Sequence, residues 1–170
     1  MPRHTLALAV FIAALVAVGG TASAAPPPAQ AVIEQRSERV MPFDMKRSTH
    51  MFRPTPSGGV QTVVSTDGDR KQVALVRAHL RSIASSFARG DFADPVRIHG
   101  ASAPGLAALR RDWRHLRVSY ADVRNGGAVT FGSTEPTVIS AIHAFFAMQV
   151  RDHGQHAKMM PGDMHMNMRA

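Results

Sequence analysis

The chain has 170 residues, a formal net charge of +8 and no cysteine. This length predicts one domain with a single core, and the lack of cysteine excludes disulfides, thiolate metal sites and cysteine nucleophiles within this sequence. The basic excess is spread along the chain instead of being gathered in one run, which argues against a nucleic-acid partner.

The first 24 residues have the pattern of a secretory signal. Arg3 supplies a positive start, residues 5–18 are almost wholly apolar, and Ala22-Ser23-Ala24 is a small-residue cleavage site. The apolar run is short for a membrane span. The sequence therefore predicts a periplasmic or secreted protein that is cleaved near Ala24 and has no stable membrane anchor.

Composition divides the remaining chain into three parts. Residues 25–40 are rich in proline and then in polar side chains, without a sustained period, and predict a disordered linker. Residues 41–154 carry the regular hydrophobic patterns and predict a single α+β domain. Residues 155–170 are rich in methionine and histidine and predict a flexible tail.

Two hairpins are predicted from their turns. Ser57-Gly58-Gly59 and Asn125-Gly126 are turn sequences with alternating apolar residues beside them. Between the hairpins, residues 90–105 carry several turn signals and predict a loop, and residues 104–111 predict a short helix.

Each hairpin is followed by a predicted amphipathic helix. The first is capped by Asp67 or Asp69, carries an apolar stripe over residues 73–87 and ends at Gly90. The second is capped by Thr134 and ends at Gly154. The predicted fold class is α+β, with two ββα units that form one antiparallel sheet packed against two amphipathic helices.

The end of the chain combines imidazole and thioether donors. Thioethers bind Cu(I), and imidazole also accepts Cu(II) or Zn(II), so the mixed set favours copper over zinc. The alternative is an inert tail in which methionine is only a flexible apolar side chain. Haem ranks after copper because the Cys-x-x-Cys-His attachment motif is absent. The predicted metal ligands are His153, His156, Met159, Met160, Met164, His165, Met166 and Met168.

Two histidines of the predicted domain, His79 and His99, are candidate ligands by their positions, and His99 lies in the predicted loop, from which it can reach a ligand. His79 lies beside the apolar stripe of its helix, where a histidine that only borders the core is the alternative interpretation. His143 and His153 are about 15 Å apart along one predicted helix and cannot share an ion.

Four phrases together resemble a family of small exported bacterial proteins: MPFDMKRSTHMF, VALVRAHLRSIASSFARGDFADPVRIHG, PGLAAL and AIHAFFAMQVRDHG. The resemblance covers residues 41–154. It implies a shared histidine set of His50, His79, His99, His143 and His153, to which the methionine-rich tail does not belong. Four of these histidines form a possible second metal site, which consists of His50, His79, His99 and His143. Members of this family often carry the automatic label aspartate carbamoyltransferase.

The sequence lacks a carbamoyltransferase signature. Such an enzyme is about twice as long and binds its phosphate with a Ser-Thr-Arg-Thr loop at a helix N-terminus. Here Ser65-Thr66-Asp67 and Ser133-Thr134-Glu135 carry an acid at the place of the arginine. Carbamoyl transfer is therefore not the activity that these residues indicate.

The sequence predicts an exported metal-binding protein that handles copper through its tail and its domain histidines. A small enzyme is a less favoured alternative, with His79, His99 or His143 acting in acid-base catalysis beside Asp91 or Asp94. The sequence contains no Gly-x-Ser-x-Gly or P-loop motif that would support an enzyme. A periplasmic interaction domain with exposed apolar or basic surface is the third possibility, and the sequence indicates no oligomeric state.

Overall fold

The computed structural model describes residues 28–162 of the chain. These residues form five α-helices and five β-strands. In chain order the elements are α1 (Pro28–Val40), β1 (Ser48–Thr55), β2 (Gly58–Ser65), α2 (Arg70–Ala88), α3 (Ala93–His99), α4 (Leu106–Arg111), β3 (Arg117–Val123), β4 (Gly126–Gly132), α5 (Pro136–His153) and β5 (Ala157–Met159). Short 3₁₀ helices span Met45–Arg47, Trp113–His115 and Gly154–His156.

The strands form one sheet in the order β3-β4-β2-β1-β5. The two hairpins lie side by side, with β2 antiparallel to β4, and β5 is added in parallel to the outer edge of β1. Each hairpin is followed by a long helix, α2 or α5. The predicted α+β fold of two ββα units, with an antiparallel sheet packed on two helices, is confirmed.

The core lies between the sheet and the two long helices. α2 packs mainly on β3 and β4, and α5 packs on β1, β2 and β5. Because side chains alternate along a strand, β1 directs His50 and Phe52 into this layer. Phe146 of α5 contacts Phe52 at 5.2 Å and Phe131 at 5.5 Å between ring centroids, and all three rings are buried.

Local capping explains the helix starts. Asp69 caps α2, as predicted, because its Oδ1 accepts a hydrogen bond from the Gln72 N–H at 2.8 Å. At α5 the N-cap is Glu135, one residue later than the predicted Thr134. Pro136 occupies the first helical position, where its fixed φ suits a helix start, and this sets the boundary.

The turn between β1 and β2 also lies one residue away from its predicted position. β1 ends opposite the first residue of β2, with Thr55 paired to Gly58, so Pro56-Ser57 forms the two-residue turn. Gly58 and Gly59 lie in the strand, and a Cβ on Gly59 would overlap the Phe146 ring. At the second hairpin, Val123 pairs with Gly126, so Arg124-Asn125 forms the two-residue turn instead of the predicted Asn125-Gly126. Asn125 has a positive φ of 59° at the second position of this turn.

A helix, α1, occupies most of the predicted linker. It has little apolar periodicity and is held by contacts with α3 and α5. Gln30 Nε2 donates to the Arg151 carbonyl at 3.0 Å, and Arg36 Nη1 donates to the Ile98 carbonyl at 3.3 Å. These partners are distant in sequence, so the linker prediction was wrong for residues 28–40.

The predicted loop and the predicted tail also contain regular structure. α3 lies inside residues 90–105, and β5 lies inside the segment after Gly154. The Met160 N–H donates to the Phe52 carbonyl at 2.7 Å, which extends the pairing with β1. The predicted signal sequence and four predicted tail ligands lie outside the described residues: Met164, His165, Met166 and Met168. None of the helices within residues 28–162 is both long and apolar enough to cross a bilayer.

Candidate functional site

Four elements bring four histidines together inside the domain. His50 comes from β1, His79 from α2, His99 from the end of α3 and His153 from the end of α5. The His50 and His153 rings stack with centroids 5.6 Å apart and planes 10° apart, and His99 meets His153 edge to face at 5.2 Å. The Phe43 ring packs against both His50 and His79, with ring centroids 6.0 Å and 5.6 Å apart. We call these four residues the histidine cluster.

Three members of the cluster line a small cavity, which we call the histidine cavity. Its polar lining consists of His50, His79, His99, Gln61, Gln149 and Asp94, and the rest of the wall is apolar. The cavity volume is about 40 Å³, on a measure by which one water molecule needs about 10–15 Å³. It therefore has room for a few water molecules or for an ion with a small ligand.

His50, which lines this cavity, has an unpaired ring nitrogen. The residue is 2% exposed, and its Nδ1 atom has no hydrogen-bond partner among the described residues. The ring bonds instead to the backbone of His156, so Nε2 carries the proton and Nδ1 carries a lone pair. Burial, assisted by the charge of His79, lowers the pKa of His50 to about 4. The imidazole is thus neutral at pH 7.

His99 is oriented by a carboxylate. Its Nδ1 donates to Asp152 Oδ2 at 2.8 Å, and the two side chains are only 1% and 14% exposed. Asp152 also forms an ion pair with Arg151 at 2.9 Å. Burial lowers the pKa of His99, although the hydrogen bond to Asp152 opposes that shift. The ring also forms a side-chain hydrogen bond with Gln149, so a carboxylate and an amide together fix the orientation of the His99 imidazole.

His79 and His153 are also kept neutral by burial. His153 Nε2 donates to Gln149 Oε1 at 2.9 Å, one helical turn earlier on α5. Burial and the neighbouring imidazoles hold the pKa of His153 well below its ordinary value. Burial lowers the pKa of His79 as well, with the nearby Asp94 carboxylate opposing it. All four rings of the cluster therefore offer lone pairs in preference to positive charge.

The structure gathers three of the four predicted domain histidines and separates the fourth. His50, His79 and His99 share the cavity, whereas His143 lies at the β1–β2 turn. Its Nε2 is 3.0 Å from the Thr55 carbonyl and 2.8 Å from the Gly58 carbonyl, so the N–H holds the turn together. His143 occupies this place because it faces β1 and β2 from the middle of α5.

The predicted tail ligands fall into different environments. His153 is buried in the cluster, and His156 lies in the 3₁₀ helix that follows α5. Met159 is on β5 with 41% of its surface exposed, and Met160 continues that strand. Gly162, the last described residue, lies beside the Pro54 carbonyl at the far end of β1.

Three polar residues of the site were not predicted: Gln61, Gln149 and Asp152. The i, i+4 spacing of Gln149 and His153 on one helix was a usable signal for their contact. Gln61 is a polar residue on the buried face of β2. Asp152 is 53 residues from His99 in sequence, and only the packing of α3 against the end of α5 reveals that pair.

The arrangement offers lone pairs without a completed coordination site. Within residues 28–162, no three side chains of the ligating types already form a group that could hold a metal ion. Comparison with protein-family models, with curated proteins and with solved structures finds no significant match to this chain. The fold and the site therefore define an α+β domain with a small, partly open cavity lined by neutral histidines.

Proposed function

We propose that the protein is an exported metal-binding protein that handles copper, with imidazole donors in the histidine cavity and thioether donors in the tail. The observation that carries this proposal is the Nδ1 atom of His50, which is buried, unpaired among the described residues and part of a cavity-lining side chain. A buried polar atom without a partner costs roughly 1–3 kcal/mol. A bound ion would offset that cost.

The donors of the cavity suit a borderline metal. Imidazole binds metal ions only in its neutral form, which burial favours for His50, His79 and His99. Asp94 is the single carboxylate that lines the cavity within residues 28–162, so hard cations that prefer several oxygens are disfavoured. The cavity is far too small for a haem. An ion would be bound only after the rings rearrange, since no three ligating side chains of residues 28–162 already form a group.

The tail supplies a separate, softer site. Its sequence places Met164, Met166 and Met168 around His165, and several thioethers favour Cu(I). The preceding strand runs away from the cluster, from Ala157 beside His50 to Gly162 beside Pro54. We therefore expect the tail and the cavity to bind independently.

Export belongs to the same proposal, because copper handling by thioethers suits a compartment outside the cytoplasm. It rests on the signal-like pattern of residues 1–24. The N-terminal sequence of protein isolated from the native host should begin near Ala25. Full-length protein recovered from the cytoplasm would contradict export without affecting the metal sites.

The cavity site is tested by copper titration of the mature protein against a chelator of known affinity. The test variant is His50→Phe, which keeps an aromatic ring between Phe43 and His153 but removes the nitrogen. The matched control is His115→Phe, since His115 is exposed and does not line the cavity. We expect His50→Phe to lose one bound equivalent that His115→Phe retains. Equal stoichiometry in all three proteins would refute the cavity site.

An acid-base enzyme is the second candidate, and one specific observation favours it. The Asp152–His99 pair has the geometry in which a buried carboxylate orients a catalytic imidazole. His99 also lines the cavity, where its imidazole would exchange a proton with a bound molecule that displaces the Gln149 side chain. An activity that is lost in both His99→Gln and Asp152→Asn, with copper binding unchanged in Asp152→Asn, would favour the enzyme.

A further inference from the structure

A basic groove lies next to the histidine cavity, between α1 and α3. Three arginines line it, Arg36 and Arg39 from α1 and Arg97 from α3, together with Val40 and Asp94. The groove is open to solvent and has a volume of about 570 Å³. It exists only because the segment of residues 28–40 is a helix packed against α3.

The charges of the groove are not balanced. Three guanidinium groups face a single carboxylate, and that carboxylate is engaged by Arg97 at 3.0 Å. Arg36 uses Nη1 to bond the Ile98 carbonyl at 3.3 Å. Arg39 has no hydrogen bond or ion pair within the part of the chain that the structure describes, and its side chain is exposed. Several guanidinium donors are therefore free to bind an oxyanion.

The groove and the histidine cavity share a wall. Val40 and Asp94 line both spaces, and the Asp94 carboxylate acts on His79 inside the cavity. A ligand held by the arginines would thus stand at the side of the cavity that His79 borders. We propose that this groove is a binding site for a small oxyanion, a carboxylate or a phosphate group, carried by a compact molecule. This site does not depend on metal binding.

The shape of the groove favours a compact anion over an extended anionic polymer. Its basic residues come from only two helices and surround one concave space, whereas a polymer site would continue as a basic track over neighbouring elements. The guanidinium fork matches the planar carboxylate and the tetrahedral phosphate equally well. A phosphate group can come from a soluble molecule or from a lipid headgroup, and the experiment separates the two sources.

The test is calorimetric titration of the mature protein with inorganic phosphate and with succinate, and sedimentation with phosphatidylglycerol vesicles. Arg39→Gln removes a guanidinium that supports no described contact, so its folding should be unaffected. We expect it to weaken oxyanion binding about tenfold, the typical value of one charge-assisted hydrogen bond. Asp94→Asn should strengthen binding, because it removes the only carboxylate that lines the groove in the described part of the chain.

The matched control is Arg110→Gln, which removes an exposed arginine of α4 that does not line the groove. It should bind phosphate and succinate as the wild type does. Vesicle binding that depends on Arg39 would assign the oxyanion to a lipid headgroup, and binding of the free anions would assign it to a soluble molecule. The proposal is overturned if neither probe binds, or if Arg110→Gln weakens binding as much as Arg39→Gln.

Discussion

At the scale of single residues, buried neutral imidazoles make folding depend on pH. His50 has a pKa of about 4 in the folded protein, mainly because of burial, whereas an unfolded chain would give it a pKa of about 6.5. Between these values the unfolded state binds more protons than the folded state. The contribution of neutral His50 to the free energy of unfolding is therefore fully present above about pH 6.5 and is lost as the pH falls towards 4.

The corresponding prediction concerns the slope of stability against pH. A shift of this size corresponds to roughly 3 kcal/mol for His50 alone, and the lowered pKa values of His79, His99 and His153 act in the same direction. The free energy of unfolding of His50→Phe, measured with urea, should fall less between pH 6.5 and 4 than that of the wild type. His115→Phe should match the wild type. Identical pH profiles for all three would contradict the burial of a neutral His50.

Single residues also show what sequence reasoning can and cannot find. His79 and His99 were candidates from the sequence pattern, and His50 was a candidate from the family resemblance. Their partners were not, because Gln149 and Asp152 are ordinary polar residues until α5 is packed beside α3. His143 was grouped with the cavity histidines, although its place in the fold gives it a structural role at the β1–β2 turn.

At the scale of elements, local signals predicted the two hairpins and the two long helices. Asp69 and Asn125 act through contacts or dihedral angles within a few residues, so the sequence alone can predict the helix start and the turn. α1, α3 and β5 were not predicted, because their stability comes from distant partners. β5 has only three residues and exists as a strand because β1 offers a free edge.

At the scale of elements, the prediction concerns copper binding by the methionine-rich tail. Replacement of five methionines by leucine, at positions 159, 160, 164, 166 and 168, keeps apolar side chains and removes the sulfur. The backbone bond from Met160 to Phe52 does not require the thioether, so β5 should remain paired. We expect Cu(I) binding by the tail to fall sharply, while copper binding through the histidines largely survives. Unchanged Cu(I) affinity would show that the methionines are not ligands.

At the scale of the whole molecule, the packed unit extends beyond the predicted domain of residues 41–154. α1 covers α3 and the end of α5, and β5 covers the edge of β1. Arg36, Arg39 and Lys158 are cleavage sites for trypsin that lie within these two elements. Their protection reports directly on whether the two elements are packed in solution.

Limited trypsin digestion of the mature protein, followed by mass spectrometry, should leave a core that keeps residues 28–162. Cleavage at Arg36 or Lys158 requires local opening of a packed helix or a paired strand, so it should be slow. Early release of the segment up to Arg39, with a stable fragment starting at Val40, would contradict the packing of α1. Early cleavage at Lys158 would contradict the pairing of β5.

The most direct test of the account is a nitrogen-15 NMR spectrum of the histidine side chains during addition of Cu(I). The five-methionine variant should be used, so that the tail does not compete for the ion. Before the addition, His50 Nδ1 should give the signal of an unprotonated imidazole nitrogen. One equivalent of Cu(I) should shift that signal and signals of His79 or His99, while exposed His115 stays unchanged. Shifts confined to His156 and His165, with His50 unaffected, would contradict a metal site in the cavity.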